Sequence, residues 1–246
     1  MGKYFNQYEN LAKSDLSSTE IVGRHTHQST SEKRIFNDIK RKISNLGKVN
    51  LTICDIGCGC GRVVDDLINL AGVNHNTLTL IDAKSMLDRV KDKPFIEKVP
   101  GEFPGNVDIM TNKKFDAMIV YSVIQYVFMD GNVYKFLDQC VDMLKHNGQL
   151  LIGDIPNLSK KIRFLNTDFG IDLHKKTSQT NPKLSKMFNK LALEDTFILS
   201  ILARYRGMGF EVYLLPQPKN LPFSYTREDI LIVKGGATNE KRSNME

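Results

Sequence analysis

Between residues 54 and 61 the chain reads Cys-Asp-Ile-Gly-Cys-Gly-Cys-Gly, an acid followed by three glycines separated by single residues. Glycine adopts backbone angles closed to other residues and has no Cβ to hold a ligand away. Gly57, Gly59 and Gly61 therefore suit a turn that lies close against a small molecule. An apolar run leads into this turn and a helical pattern leaves it, so the N–H groups of a helix start are added to the turn. A dinucleotide fingerprint reads GxGxxG, whereas this turn reads GxGxG with Asp55 two residues ahead of the first glycine, which points away from pyrophosphate. About twenty residues further on, Leu-Thr-Leu-Ile-Asp ends on Asp82, a position where one carboxylate can accept from both hydroxyls of a ribose.

Such residues must be held by a frame. Apolar runs read as strands at Leu51 to Cys54, Thr77 to Ile81, Phe95 to Val99, Phe115 to Tyr121 and Gln149 to Gly153, with helical stretches between most of them. This is a βαβ series and predicts an α/β fold on a parallel sheet. A helix is expected over Glu32 to Leu46 and another over Val133 to Leu144, where Val133, Phe136, Leu137, Cys140, Val141 and Leu144 recur at helical spacing. Asn147 and Gly148 are read as its left-handed stop. A lysine-rich stretch from Ser159 to Lys190 interrupts the alternation. A helix around Glu194 to Arg206 then leads into strands at Glu211 to Leu215 and Asp229 to Lys234. Residues 1–30 are polar and lack a core pattern, with Tyr4, Phe5 and Tyr8 as possible anchors, and residues 236–246 are expected to be disordered.

Composition limits the alternatives. The chain has 246 residues, is 41% apolar and carries a net charge of +6, as expected of an ordinary globular protein and compatible with anionic small molecules as well as nucleic acid. The start lacks a signal-peptide pattern and Asn6 breaks a myristoylation motif. With no long apolar run either, the expected location is cytoplasmic, away from membranes. Cys58 and Cys60 are too closely spaced for a zinc pair, while Cys54 and Cys140 fall on apolar stripes, so no metal site is expected.

Asp55 to Gly61 resembles the first motif of class I S-adenosylmethionine (SAM) methyltransferases. The resemblance implies a three-layer αβα fold with a mostly parallel seven-stranded sheet whose last strand is antiparallel. It further implies an N-terminal lid (1–30), a methyltransferase domain (31–235) and a substrate-cap insertion after strand five (158–193). In that family the glycine turn lies under the methionine part of SAM, which places Gly57 and Gly59 at the cofactor, and the acid, here Asp55, helps hold its ammonium. Asp82 corresponds to the ribose acid and is followed by Ala83. In the segment Ala-Lys-Ser-Met-Leu, Met86 or Leu87 is the residue flanking the adenine. Pro-Gly-Glu-Phe-Pro resembles the adenine-recognition step, in which Glu102 accepts from the exocyclic amine and Phe103 offers its N–H. Phe115 to Val127 and Leu144 to Asn157 match the fourth and fifth strands, so the resemblance spans roughly residues 50 to 157.

Methyl transfer needs an acceptor aligned with the sulfonium and shielded from water; a hydroxyl acceptor also gains from a general base. Candidate bases are His25, His27, His174 and Asp154, with His27 favoured between the two lid histidines and Asp154 just past a strand's C-terminal end. Arg24, in the same lid, is a candidate partner for the cofactor carboxylate. Tyr121 is expected beside the cofactor, and Ser122, Gln125 and Tyr126 at the transfer point. Lys160 and Arg163 in the insertion suggest a phosphate-bearing or sugar-type acceptor. Val22 to His27 and Leu215 to Ile232 resemble the N-terminal lid and C-terminal hairpin of bacterial small-molecule methyltransferases, including ones of surface-polysaccharide biosynthesis, and Tyr225 and Arg227 are read as bracing that hairpin. Nucleic acid is not the expected partner, because Tyr-Ser-Val-Ile-Gln stands where base-amine methylases carry Asn or Asp, two prolines and an aromatic. An RNA methyltransferase and a non-catalytic SAM-binding scaffold are the competing readings.

Overall fold

The structure is a computed structural model and describes residues 2–23, 29–105, 112–178 and 193–235. The strands are β1 (Thr52–Ile56), β2 (Thr77–Asp82), β3 (Ile96–Pro100), β4 (Phe115–Tyr121), β5 (Leu144–Pro156), β6 (Glu211–Pro216) and β7 (Arg227–Val233). They form one seven-stranded sheet in the order β3-β2-β1-β4-β5-β7-β6. Neighbours from β3 to β5 run parallel, while β7 is inserted antiparallel between β5 and β6. The chain reverses its strand order between β1 and β4, and the C-terminal ends of these strands are where ligands settle in open α/β sheets.

In chain order the helices are α1 (Lys3–Ala12), α2 (Ser18–Ile21), α3 (Ser29–Lys42), α4 (Arg62–Val73), α5 (Lys84–Leu87), α6 (Ile124–Asp130), α7 (Val133–Asp142), α8 (Leu158–Leu165), α9 (Asp168–Ser178) and α10 (Asp195–Gly207). Two apolar cores separate the layers. On one face Phe136, Leu137 and Cys140 of α7 and Ile198, Ile201 and Tyr205 of α10 pack on the sheet. On the other, Ile35 and Ile39 of α3 and Val64 and Leu67 of α4 do so. Cys54 and Cys140 are both fully buried, as their apolar stripes predict. Among the described residues no helix is long and apolar enough to cross a membrane.

Three local expectations are corrected. The N-terminal segment, polar and without a core pattern in the sequence, forms α1 and α2. Tyr4, Tyr8 and Ala12 share one helical face, and Phe5, Tyr8 and Leu11 pack against the core beside α3 and α4. Arg89 holds the end of α1 from below, donating to the carbonyls of Ala12 (2.8 Å), Leu16 (3.1 Å) and Ser14 (2.5 Å). Asn147 does adopt a left-handed conformation (φ 61°), but α7 has already ended at Asp142 and Asn147 lies within β5, its N–H paired to the carbonyl of Lys234. The helix expected to reach Leu46 stops at Lys42 and is followed by a 3-10 turn, Ser44–Gly47. The expected tail, 236–246, lies outside the described residues.

Candidate active site

The glycine turn has the geometry its sequence suggests. Gly57 and Gly59 take φ values of 71° and 63°, in the left-handed region that favours glycine. A Cβ on Gly57 would come within 2.5 Å of Val123, and one on Gly59 within 2.9 Å of Val22, so protein closes on the turn from both sides. Asp82 fixes the turn from β2. Its Oδ2 accepts the Gly59 N–H and its Oδ1 the Ala83 N–H, each at 2.7 Å. Each oxygen keeps a further lone pair for a ligand hydroxyl.

Above the turn lies a cavity of about 550 Å³, within the range of small-molecule and cofactor sites. It is lined by Asp55, Gly57, Gly59, Asp82, Met86, Glu102, Phe103 and Tyr121, all expected at the cofactor, and by Ser122, Gln125, Tyr126 and Asp154, expected at the acceptor. Between Met86 and Leu87 the structure distinguishes: both are buried, and Met86 is the one on the cavity wall. Ala83 is buried behind Asp82 and off the wall. Lys160 and Arg163 also lie off it. Lys160 donates to the carbonyl of Arg227 (2.6 Å) and pairs with Glu228, while Arg163 pairs with Asp195. Arg24, His25 and His27 lie outside the described residues, as does the side chain of His174.

A buried carboxylate, Asp55, and a half-buried one, Asp82, set the field of the cavity. Burial raises Asp55 to about 8, with the neighbouring Asp82 adding to the effect. Asp82 is raised to about 6 by its own burial, against the pull of its two backbone donors. Carboxylates in this state are relieved by a cation. A ligand with an ammonium, a sulfonium and ribose hydroxyls fits the set: the acids meet its charges and hydroxyls, and the turn leaves room beneath it. Gln125 adds a buried Oε1 with no hydrogen bond among the described residues, its amide nitrogen being spent on the Ser122 carbonyl at 2.8 Å.

At the far end, β4 and β5 both finish in left-handed residues, Ser122 (φ 60°) and Asp154 (φ 58°). The Ser122 hydroxyl donates to Asp154 Oδ2 at 2.5 Å, and Arg227 Nε stands 3.6 Å from Asp154 Oδ1. From below, the Asp154 N–H is held by Asp229 Oδ1 at 2.8 Å.

Several lining residues are not apparent from the sequence. Helix α1 roofs the cavity: the Gly2 N–H donates to Glu102 (2.7 Å), the Tyr4 N–H to Asp130 (2.7 Å), and the Tyr8 and Tyr126 hydroxyls share a 2.6 Å hydrogen bond. Val22, Phe36, Pro222, Phe223 and Arg227 also line the cavity. Arg227, expected only to brace the hairpin, thus faces the cavity. Tyr225 does brace, stacking on Phe164 at 4.8 Å between ring centres.

Residues 54–152 match the family described as a methyltransferase domain. No curated protein matches the chain. Among solved structures the fold is similar to the plantazolicin methyltransferase BpumL in complex with S-adenosylhomocysteine (SAH), at 14% identity over 95% of this chain and 97% of that one (TM-score 0.61). It is also similar to the N-methyltransferase NodS of Bradyrhizobium japonicum WM9 in complex with SAH (14%, 94% and 97%, TM-score 0.54) and to a putative caffeoyl-CoA O-methyltransferase of Staphylococcus aureus (14%, 94% and 99%, TM-score 0.51). Domain match and architecture define a methyltransferase domain on a Rossmann-like fold. Residues 54–152 thus carry the methyltransferase-domain match, on the Rossmann-like fold that these SAH-bound structures share.

Proposed function

We propose that the protein methylates a small-molecule acceptor bound between the ends of β4 and β5, helix α3 and the β6–β7 connection. The observation that carries this is the Ser122–Asp154 pair, which shares one cavity with the glycine turn and Asp82. SAM, when bound, supplies an activated methyl: the C–S bond breaks toward sulfur to leave SAH as the new bond forms at the acceptor oxygen or nitrogen, which loses its proton. The chain's part is to orient and to exclude water. Asp154 and Ser122 are suited to hold the proton-bearing group of the acceptor, and α1 with Val22 to roof the site. Asp55 and Asp82 take the cofactor's ammonium and ribose, with Glu102, Phe103 and Met86 at its adenine.

A phosphate-bearing or sugar acceptor of polysaccharide assembly draws no support from this lining. Of the residues that suggest it, Lys160 is tied to Glu228 and Arg163 to Asp195, and Arg227 is turned to Asp154. A neutral hydroxyl or an amine fits better. The test is incubation with methyl-labelled SAM and fractionated hydroxyl and amine metabolites, with RNA as a separate arm. Asp154→Asn and Ser122→Ala should lower turnover, by about 10²-fold or more for Asp154, while SAH affinity measured by calorimetry stays unchanged. Full activity in both variants would move the acceptor elsewhere.

A further inference from the structure

Phe223 combines three features that packing does not explain. Its φ is 58°, a left-handed conformation that is strained for a bulky side chain. The residue is 59% exposed, so little burial offsets that strain. It also lines the acceptor end of the cavity next to Pro222 and Arg227, with the Arg227 guanidinium 5.6 Å from its ring centre. The turn is built to keep it there. Leu221 anchors the chain in the core just before it, and the Phe223 carbonyl accepts from both the N–H (2.8 Å) and the hydroxyl (3.0 Å) of Thr226. Helix α3 adds Phe36 and Ile39 to the same cavity. The acceptor end is thus apolar and aromatic, with the Ser122–Asp154–Arg227 group as its polar part.

We propose that Phe223 is a specificity-determining residue, an aromatic wall that selects an acceptor with a flat, apolar body and directs its hydroxyl or amine to Ser122 and Asp154. An aromatic face held at a rim gives contact area to a planar ligand at little cost in side-chain entropy. The strain then has a use, since a relaxed residue would not present its ring there. This inference rests on the methyl-transfer reading for the identity of the ligand as acceptor.

The test uses the full chain loaded with SAH and titrated by calorimetry with 2-naphthol, its saturated counterpart decahydro-2-naphthol, and glucose 1-phosphate. We expect 2-naphthol to bind more tightly than the other two. Phe223→Ala should lose about tenfold of that affinity and Phe223→Tyr should keep it, with SAH affinity unchanged in both. Phe223→Asn should melt no lower than the parent, because asparagine tolerates the left-handed region. The proposal is overturned if 2-naphthol binds equally to Phe223→Ala, fails to bind the SAH complex, or binds more weakly than glucose 1-phosphate. A drop of several degrees in the melting temperature of Phe223→Asn with 2-naphthol binding retained would make the residue a structural brace and overturn it too. The two readings part cleanly. Labelled methyl passing to a sugar hydroxyl at equal rates with and without Phe223 sinks the wall and leaves methyl transfer standing. Phe223-dependent binding of 2-naphthol without transfer to any acceptor does the reverse.

Discussion

Asp55 and Asp82 lie near the C-terminal ends of β1 and β2, two register steps apart, and their protonation should link cofactor binding to stability. An unfolded aspartate titrates near 3.9. In the fold burial holds Asp55 at about 8 and Asp82 at about 6. Between about pH 4 and 8 the folded chain therefore binds more protons than the unfolded one, so the cofactor-free protein loses stability as pH rises through that window. A cationic ligand favours the ionised acids and offsets the loss. The rise in melting temperature on adding SAM should accordingly be larger at pH 8.5 than at pH 5.5, as read by scanning fluorimetry. Equal rises would remove the two acids from the cofactor site. Asp82→Ala should cost about 1 to 3 kcal/mol of SAH affinity, roughly 5- to 150-fold by calorimetry, because it removes the proposed ribose acceptor and also frees the Gly59 N–H that steadies the turn. Unchanged affinity would leave Asp82 as a turn brace alone.

The turn between β1 and α4 is the element on which the site depends, and its tolerance follows from two separate costs. Gly57→Ala meets Val123 and must also hold a left-handed φ, the latter alone worth roughly 1 to 2 kcal/mol. Adding Val123→Ala should recover the steric part and leave the conformational part, a split that urea unfolding of the single and double variants measures. Full recovery in the double variant would mean the backbone carries no strain. Much of this element was legible in the sequence, because a short apolar run, alternating glycines and a strand-terminal acid are local signals. The sheet followed from the same kind of signal. Helix α1 was not legible: its apolar stripe is short and makes sense only once α5, α6 and Arg89 lie beneath it. The left-handed Phe223 left no trace either, since nothing in Leu-Pro-Phe-Ser specifies that φ. Lys160 and Arg163 of α8 show the other side of this, since sequence gives charge without partners, and in the fold Glu228 pairs with Lys160 and Asp195 with Arg163.

Across the whole molecule, one buried polar network joins the layers beneath the acceptor end. Lys42 of α3 reaches Asp38 on its own helix and Asp229 on β7, 2.6 Å from each, and all three side chains are nearly or fully buried. Asp229 also accepts from Gln217 (2.9 Å) and from the Asp154 N–H (2.8 Å). Burial pushes the Asp229 carboxyl up, and Lys42 is the strongest influence against it. Breaking such a pair from one side leaves a buried charge, whereas replacing both partners with apolar groups is often neutral. Lys42→Met should therefore lower stability by about 3 to 5 kcal/mol, read as the urea midpoint at unchanged slope. The double variant Lys42→Met with Asp229→Leu should regain most of that. It still lacks the acceptor for the Asp154 N–H, so the left-handed end of β5 loses its support and turnover should stay low although the fold is restored. If the double variant recovers turnover along with stability, Asp229 serves only to bind α3 to the sheet, and Asp154 keeps its place through Ser122 and Arg227.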